Sequence, residues 1–139
     1  RTGWLAGVGD RVVGAALSAM HSRPAHAWTL EDLAKDAHTS RTVLAERFQK
    51  IVGTGVIQYL TQWRMMLAAN LLCRTNSSLM RIAEDVGYQT DTAFSRAFRR
   101  EYGMPPAAYR RQRGKAAPEE PVIPPPAGRA ARARGAARA

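Results

Sequence analysis

The sequence predicts an all-α fold, and three observations carry that expectation. Apolar side chains recur at helical spacing along the first 113 residues, and no strand-like alternation competes with them. Residues that open and close helices bracket most of these runs. A block from Ala34 to Tyr59 then returns as Ala83 to Tyr109, 49 to 50 positions later.

Taken in order, Val13, Ala16, Leu17 and Met20 stand at i, i+3, i+4 and i+7, which predicts a helix over Asp10–Met20. Thr29 with Asp32 three residues on reads as an N-cap, opening a short helix with Leu30, Leu33 and Ala34 inward. "HTS" breaks the chain before a helix near Arg41–Ile51, which Gly53 and Gly55 close. A long helix is expected from about Val56 to Cys73. Val56, Leu60, Trp63, Leu67 and Leu71 would line one of its faces, with Tyr59, Met66 and Asn70 beginning another. Its eighteen residues at 1.5 Å each make a rod of roughly 27 Å. "RTNSS" ends it, Leu79–Val86 forms a short helix, "GYQT" turns, and Asp91–Tyr102 forms the next helix. "GMPPAAYRR" reads as a loop and a final helical turn.

Composition bounds what such a fold does. The 139 residues include 21 Lys+Arg against 11 Asp+Glu, a formal charge of +10. Residues 114–139, nearly all Ala, Pro, Gly and Arg, hold a net +3 of this and offer too little apolar surface to offset their ordering entropy. They are expected to be disordered. The first 113 residues therefore carry +7 on their own account. That balance points to a polyanion, either nucleic acid or an acidic membrane surface. No apolar run approaches the roughly 18 residues of a membrane span, and no stretch reads as a signal peptide. Cys73, the single cysteine, suits a reducing cytoplasm. The chain starts at Arg1 without an initiator methionine, as a fragment or processed product would.

Catalysis finds no support. There is no nucleophile–base pair, phosphate loop or paired acid and base, so no enzyme and no cofactor is expected. His21, His26 and His38 lack metal-ligand spacing and a partnering cysteine cluster, leaving them solvent or turn roles rather than a metal site. Trp28, Trp63 and the Met65–Met66 pair are read as core.

The repeat carries the functional signal. Ala34 meets Ala83 and Asp36 meets Asp85 at a spacing of 49. After one inserted residue, Thr42 meets Thr92, Phe48 meets Phe98, Lys50 meets Arg100, Gly53 meets Gly103 and Tyr59 meets Tyr109. Each copy is a short helix, a tight turn and a longer helix, the helix-turn-helix arrangement. The small Ala34 and Ala83 allow the second helix to cross close by. Gly87 supplies a permissive turn backbone, and His38 fills that place less comfortably. With Phe94 and Phe98 inward, the second copy turns Asp91, Thr92, Ser95, Arg96 and Arg99 outward. With Leu44 and Phe48 inward, the first exposes Thr42, Ala45, Glu46 and Gln49. Such a face suits base edges in a major groove, with Arg96 the best single reader because a guanidinium bonds guanine O6 and N7 together. Arg41, Lys50, Arg99, Arg100, Arg110 and Arg111 suit phosphates, adding affinity and salt dependence rather than specificity.

These residues also resemble a known family. "IAEDVGYQTDTAFSRAFRREYGMPPAAYRR" resembles the signature of AraC/XylS-type transcriptional regulators. "WTLEDLAKDAHTSRTVLAERFQKIVG" followed by "YLTQWRMMLAANLL" is similar to that family's first unit and linker helix. The resemblance covers about Trp28–Arg111, and "GWLAGVGDRVVGAALSAMH" resembles the join in members with a cupin-like sensor upstream. It implies a DNA-binding domain over 28–113, with helix-turn-helix units at 28–53 and 78–111 joined by a linker helix at 56–73. Residues 1–27 would be the inter-domain join and first helix, and 114–139 the tail. It further implies two homeodomain-like three-helix units whose second helices enter successive major-groove segments. Two readers about one DNA turn apart, ~34 Å, let a monomer recognise an asymmetric site. By position in the motif, the base-facing sites carry over to Thr42, Ala45 and Glu46, and to Asp91, Thr92, Ser95 and Arg96. Ala45 offers only a methyl contact, while Glu46 accepts from cytosine but repels phosphate. "GTG" also replaces the proline-bearing turn that the second copy keeps as "GMPP".

The partners implied are double-stranded DNA, RNA polymerase at promoters, and an effector-sensing domain upstream, in a bacterial cytoplasm and at the nucleoid. A rival reading is a basic helical interaction module docking on acidic protein or membrane. A membrane-surface helix would set cations opposite a bulky exposed apolar face, whereas here the bulky residues are needed to close the fold.

Overall fold

The computed structural model describes residues 3–113, so the expectation for the 114–139 tail lies outside the described residues. Within them are the helices α1 (Trp4–Val8), α2 (Arg11–Ser22), α3 (Leu30–Asp36), α4 (Arg41–Val52), α5 (Val56–Arg74), α6 (Leu79–Asp85), α7 (Asp91–Tyr102) and α8 (Pro106–Arg113). No strand occurs among the described residues. The chain divides into two compact units, the first ending at Leu60 and the second beginning at Thr61, with α5 supplying residues to both.

In the first unit α2 starts where Asp10 accepts from the N–H groups of Val12 and Val13, satisfying two donors the helix cannot pair internally. Val13, Ala16, Leu17 and Met20 are buried as their spacing requires. Leu33 and Ala34 of α3, Leu44, Phe48 and Val52 of α4, and Val56, Tyr59 and Leu60 of α5 are buried in the same unit. Thr29, the cap of α3, accepts from Asp32 N–H at 3.0 Å. Leu30, expected inward, is only half-buried, because the core-facing stripe of so short a helix is already filled by Leu33 and Ala34.

The second unit has its own core. Met65, Ala68, Ala69 and Leu72 of α5 join Ile82, Ala83, Val86, Phe94, Ala97 and Phe98, with Tyr88, Tyr102 and Tyr109 packed on the rim.

Four further features differ from the sequence expectations. Helix α1 has five residues, too few to show a period, and its buried residue is Gly7. A Cβ at Gly7 would lie 2.6 Å from Val13 Cγ1, so only glycine permits this approach of α1 to α2. Along α5, Leu67 and Leu71 are only partly buried, and the inward residues are Val56, Tyr59, Leu60 and Trp63, then Met65, Ala68, Ala69 and Leu72. Val56 and Met65 are nine residues apart, about 900° of rotation, so the second stripe lies half a turn out of phase with the first. A single stripe could not describe such a helix. Trp28 is half-buried rather than core: its Nε1–H donates to Arg23 O at 2.9 Å, and its ring closes the α2–α3 loop against His26. Finally, α8 is a helix of eight residues, with Pro106 as its first, where a missing N–H costs nothing.

The two turns match bond for bond. Thr39 N–H donates to Ala34 O at 2.9 Å and Tyr88 N–H to Ala83 O at 2.8 Å. His38 N–H donates to Lys35 O and Gly87 N–H to Glu84 O, at 3.0 and 3.1 Å. Gly87 sits at φ 98 and His38 at φ 57, the only non-glycine with positive φ among the described residues. The left-handed region costs an L-residue about 1–2 kcal/mol, partly offset by the greater unfolded-state entropy of glycine. His38→Gly should therefore stabilise the first unit by about 0.5–1 kcal/mol. Urea unfolding checks this: the midpoint should rise at constant slope, and a fall would refute the strain argument.

Candidate nucleic-acid interface

The outward face of each longer helix follows from how its inner face is anchored. Phe48 and Phe98 are fully buried. Phe48 packs edge-on against Tyr59 with ring centroids 5.7 Å apart, and Phe98 does the same with Tyr109 at 5.3 Å. Ser40 caps α4 by accepting from Val43 N–H, and Thr90 caps α7 by accepting from Ala93 N–H, both at 3.1 Å. Gly53 and Gly103 end the two helices in left-handed conformations, their N–H groups bonded to Gln49 O and Arg99 O. Matching contacts at start, middle and end thereby hold both helices in the same register, with the same face inward.

What remains outside also matches. Thr42, Glu46 and Gln49 of α4 are exposed, as are Thr92, Arg96 and Arg99 of α7 at the same registers. Ala45 and Ser95 are both half-buried, with Asp91 exposed at the start of α7. The cations Arg41, Lys50, Arg100 and Arg111 are exposed as well. In α7 three arginines stand with Asp91 and Glu101, whereas α4 sets Arg41, Arg47 and Lys50 beside Glu46. The N-terminal end of each helix, the positive end of its dipole, lies at the end where these exposed residues begin.

Arg110, one of the expected phosphate contacts, already directs two of its donors into the fold. Its Nε donates to Leu72 O at 3.0 Å and its Nη2 to Thr75 O at 3.2 Å, so it closes the C-terminal end of α5. An arginine in a basic run cannot be told from such a cap by sequence alone.

Supporting residues emerge that the sequence reading did not single out. Arg64 of α5 lies over the Tyr88 ring, 5.9 Å from its centroid, tying the linker helix to the second turn. Asp10 forms an ion pair with Arg47 of α4, and Arg11 Nη1 donates to Ala37 O at 3.0 Å. His21 takes neither of the expected solvent or turn roles. It is 7% exposed, and its Nε2 lies 2.6 Å from the Tyr59 hydroxyl. Burial pushes its pKa down to about 4 and pushes that of Tyr59 up. Its register could have shown this, since position 21 continues the stripe of 13, 17 and 20. Among the described residues no group of three or more His, Cys, Asp or Glu is placed to hold a metal ion. No helix of the described residues is long and apolar enough to cross a membrane.

Comparison with known proteins places this geometry. A family model described as "Helix-turn-helix domain" matches residues 33–112. A putative AraC-like transcription regulator of Streptomyces lividans is 50% identical over 110 residues, covering 79% of this chain and 36% of that protein. The RCS-specific HTH-type transcriptional activator RclR of Escherichia coli K12 is 40% identical over 106 residues, covering 76% of this chain and 37% of its own length. The chain thus spans little more than a third of these curated relatives. Among solved structures, the C-terminal domain of AraT, a response regulator from Geobacillus stearothermophilus, aligns with a TM-score of 0.72 at 32% identity, covering 78% of this chain and 93% of that one. The DNA-binding domain of the global transcriptional factor AdpA, in complex with a target DNA, aligns at 0.71 and 27% identity, covering 78% and 100%.

Proposed function

Because the chain belongs to the AraC-type helix-turn-helix family of transcription regulators, we propose that it is the output portion of such a regulator. In this reading it binds double-stranded DNA sequence-selectively, with α4 and α7 each entering a major groove. The observation that carries it is the repeat itself: two units matched in caps, turns and aromatic anchors, each leaving an exposed face at the same registers.

The base-facing set is Thr42, Ala45 and Glu46 on α4, and Asp91, Thr92, Ser95 and Arg96 on α7. Arg41, Lys50, Arg99, Arg100 and Arg111 meet phosphates. Arg110 is expected in the same set, and its bonds to Leu72 O and Thr75 O also position α8. RNA polymerase at promoters and an effector-sensing domain upstream complete the regulator, which works in the bacterial cytoplasm at the nucleoid. No catalytic step belongs to this reading.

The test is selection of bound sites from random duplex DNA, followed by affinity for the selected and a scrambled site across salt concentrations. Affinity should fall steeply with salt as phosphate contacts release counterions, while the selected site stays preferred. Equal binding to both sequences at every salt would end the regulator reading. A pair of variants sorts the contacts. Arg96→Ala should cost about 1–3 kcal/mol on the selected site and relax preference at one base position. Arg100→Ala should weaken all sequences alike and make the salt slope shallower by about 1. Indistinguishable site preferences for the two would refute the assignment.

A further inference from the structure

The registers at which α4 and α7 differ most in environment are 47 and 97. Ala97 is 3% exposed and packs in the second core. Arg47 reaches sideways to Asp10 at the start of α2. Asp10 is itself fixed: its Oδ1 accepts from the N–H groups of Val12 and Val13, each at 2.9 Å, and its side chain is 10% exposed. The same corner ties down the rest of the first helix-turn-helix. Gly3 N–H donates to Val52 O in the last turn of α4 at 2.8 Å, and Arg11 holds Ala37 O, the carbonyl at the end of α3.

A partly exposed ion pair contributes only about 0–1 kcal/mol to stability, so stability does not explain it. Orientation does. A 20° roll of α4 moves a side-chain tip about 6 Å from the helix axis by about 2 Å. Hydrogen bonds to base edges tolerate only a few tenths of an ångström. Phe48 anchors α4 by packing, which is not directional, whereas a charge-assisted bond from the preceding residue, Arg47, to a capped carboxylate adds a directional restraint on roll.

We propose that Asp10 and Arg47 are positioning residues for base reading by the first unit. The N-cap carboxylate of α2 holds Arg47 and so sets the angle at which Thr42, Ala45 and Glu46 meet the bases. This rests on the reading of α4 as a recognition helix.

The test uses the full chain with Asp10→Asn, Arg47→Gln, Arg47→Lys and the Asn/Gln double variant, each profiled by selection from random duplex DNA and by thermal unfolding. Asparagine caps a helix as well as aspartate, so Asp10→Asn keeps α2 closed while removing the charge that holds Arg47. Positions read by α4 are those whose preference changes in Glu46→Ala, and positions read by α7 those that change in Arg96→Ala. Asp10→Asn and Arg47→Gln should each lose about threefold or more of the discrimination at α4 positions and leave α7 positions unchanged. The double variant should be no worse than either single one, and Arg47→Lys should recover part of the loss.

General electrostatics makes the opposite forecast for Asp10→Asn: one fewer negative charge should tighten binding to every sequence alike. That result, with base preferences intact, overturns the proposal. So does Arg47→Gln weakening all sequences uniformly, which would make Arg47 a phosphate contact. A lowered unfolding temperature with equal losses at α4 and α7 positions would reduce the pair to a structural role and also overturn it. If the unaltered chain selects no sequence, the regulator reading falls together with this one. If it selects a site and Asp10→Asn selects the same site with the same profile, only the positioning role falls.

Discussion

Phe98→Ala should remove about 3–5 kcal/mol from the second unit, enough to unfold it near room temperature. Phe98 is fully buried and touches three other rings: Phe94 at 5.9 Å, Tyr102 stacked at 4.6 Å and Tyr109 edge-on at 5.3 Å. Truncation leaves those rings facing a void too small to refill without moving α7 or α8. At roughly 0.05–0.15 kcal/mol per residue, the described residues 61–113 of this unit hold only about 3–8 kcal/mol in total. The loss is comparable to everything available. Circular dichroism should show helix lost from the second unit, and site-selective DNA binding should disappear with it. Arg96→Ala, by contrast, should leave the unfolding midpoint in place while weakening binding to the selected site and relaxing its base preference. A Phe98→Ala chain with an unaltered melting temperature would show that the aromatic cluster is not what holds this unit.

The same anchors explain what the sequence made legible. Helix α7 is bounded by Thr90 and Gly103, a side-chain cap and a left-handed stop, and its limits of Asp91–Tyr102 follow from those local signals. The matching turn geometry at His38 and Gly87 follows from the repeat, since one turn conformation has to serve two sequences. The outward residues of α4 and α7 were legible for a related reason: once the buried phenylalanines fix the phase, the opposite face is determined. Legibility stops where a side chain's partner lies far along the chain. Arg110 meets Leu72 and Thr75, Asp10 meets Arg47, and His21 meets Tyr59, and no local rule selects any of these pairs. Along α5 the obstacle was different. One helix serves two cores in two phases, and a single periodicity averages them away.

His21 gives the fold a pH dependence whose sign can be stated. Burial lowers its pKa from 6.5 to about 4, so between those values the unfolded chain binds a proton that the folded chain refuses. Stability is therefore at its plateau above about pH 6.5 and falls as pH drops toward 4, at about 1.4 kcal/mol per pH unit. Between pH 7 and pH 5 the loss should approach about 2 kcal/mol, with roughly 3 kcal/mol as the ceiling across the whole window. Asp10 acts lower on the scale. Its burial raises the pKa, but the bond from Arg47, those from Val13 and Val12 N–H and the charge of Arg47 outweigh this and leave it below 3.8. Its contribution is present above that value and is lost as pH falls through the depressed one. The two windows thus separate. His21→Gln keeps a hydrogen-bonding group beside the Tyr59 hydroxyl without a proton to gain. Urea midpoints should drop between pH 7 and pH 5 for the unaltered chain and stay nearly level for His21→Gln. In the folded protein the His21 imidazole should titrate near pH 4 by nuclear magnetic resonance. An imidazole titrating close to 6.5, or the same pH profile in both chains, would show that burial of His21 is not coupled to stability.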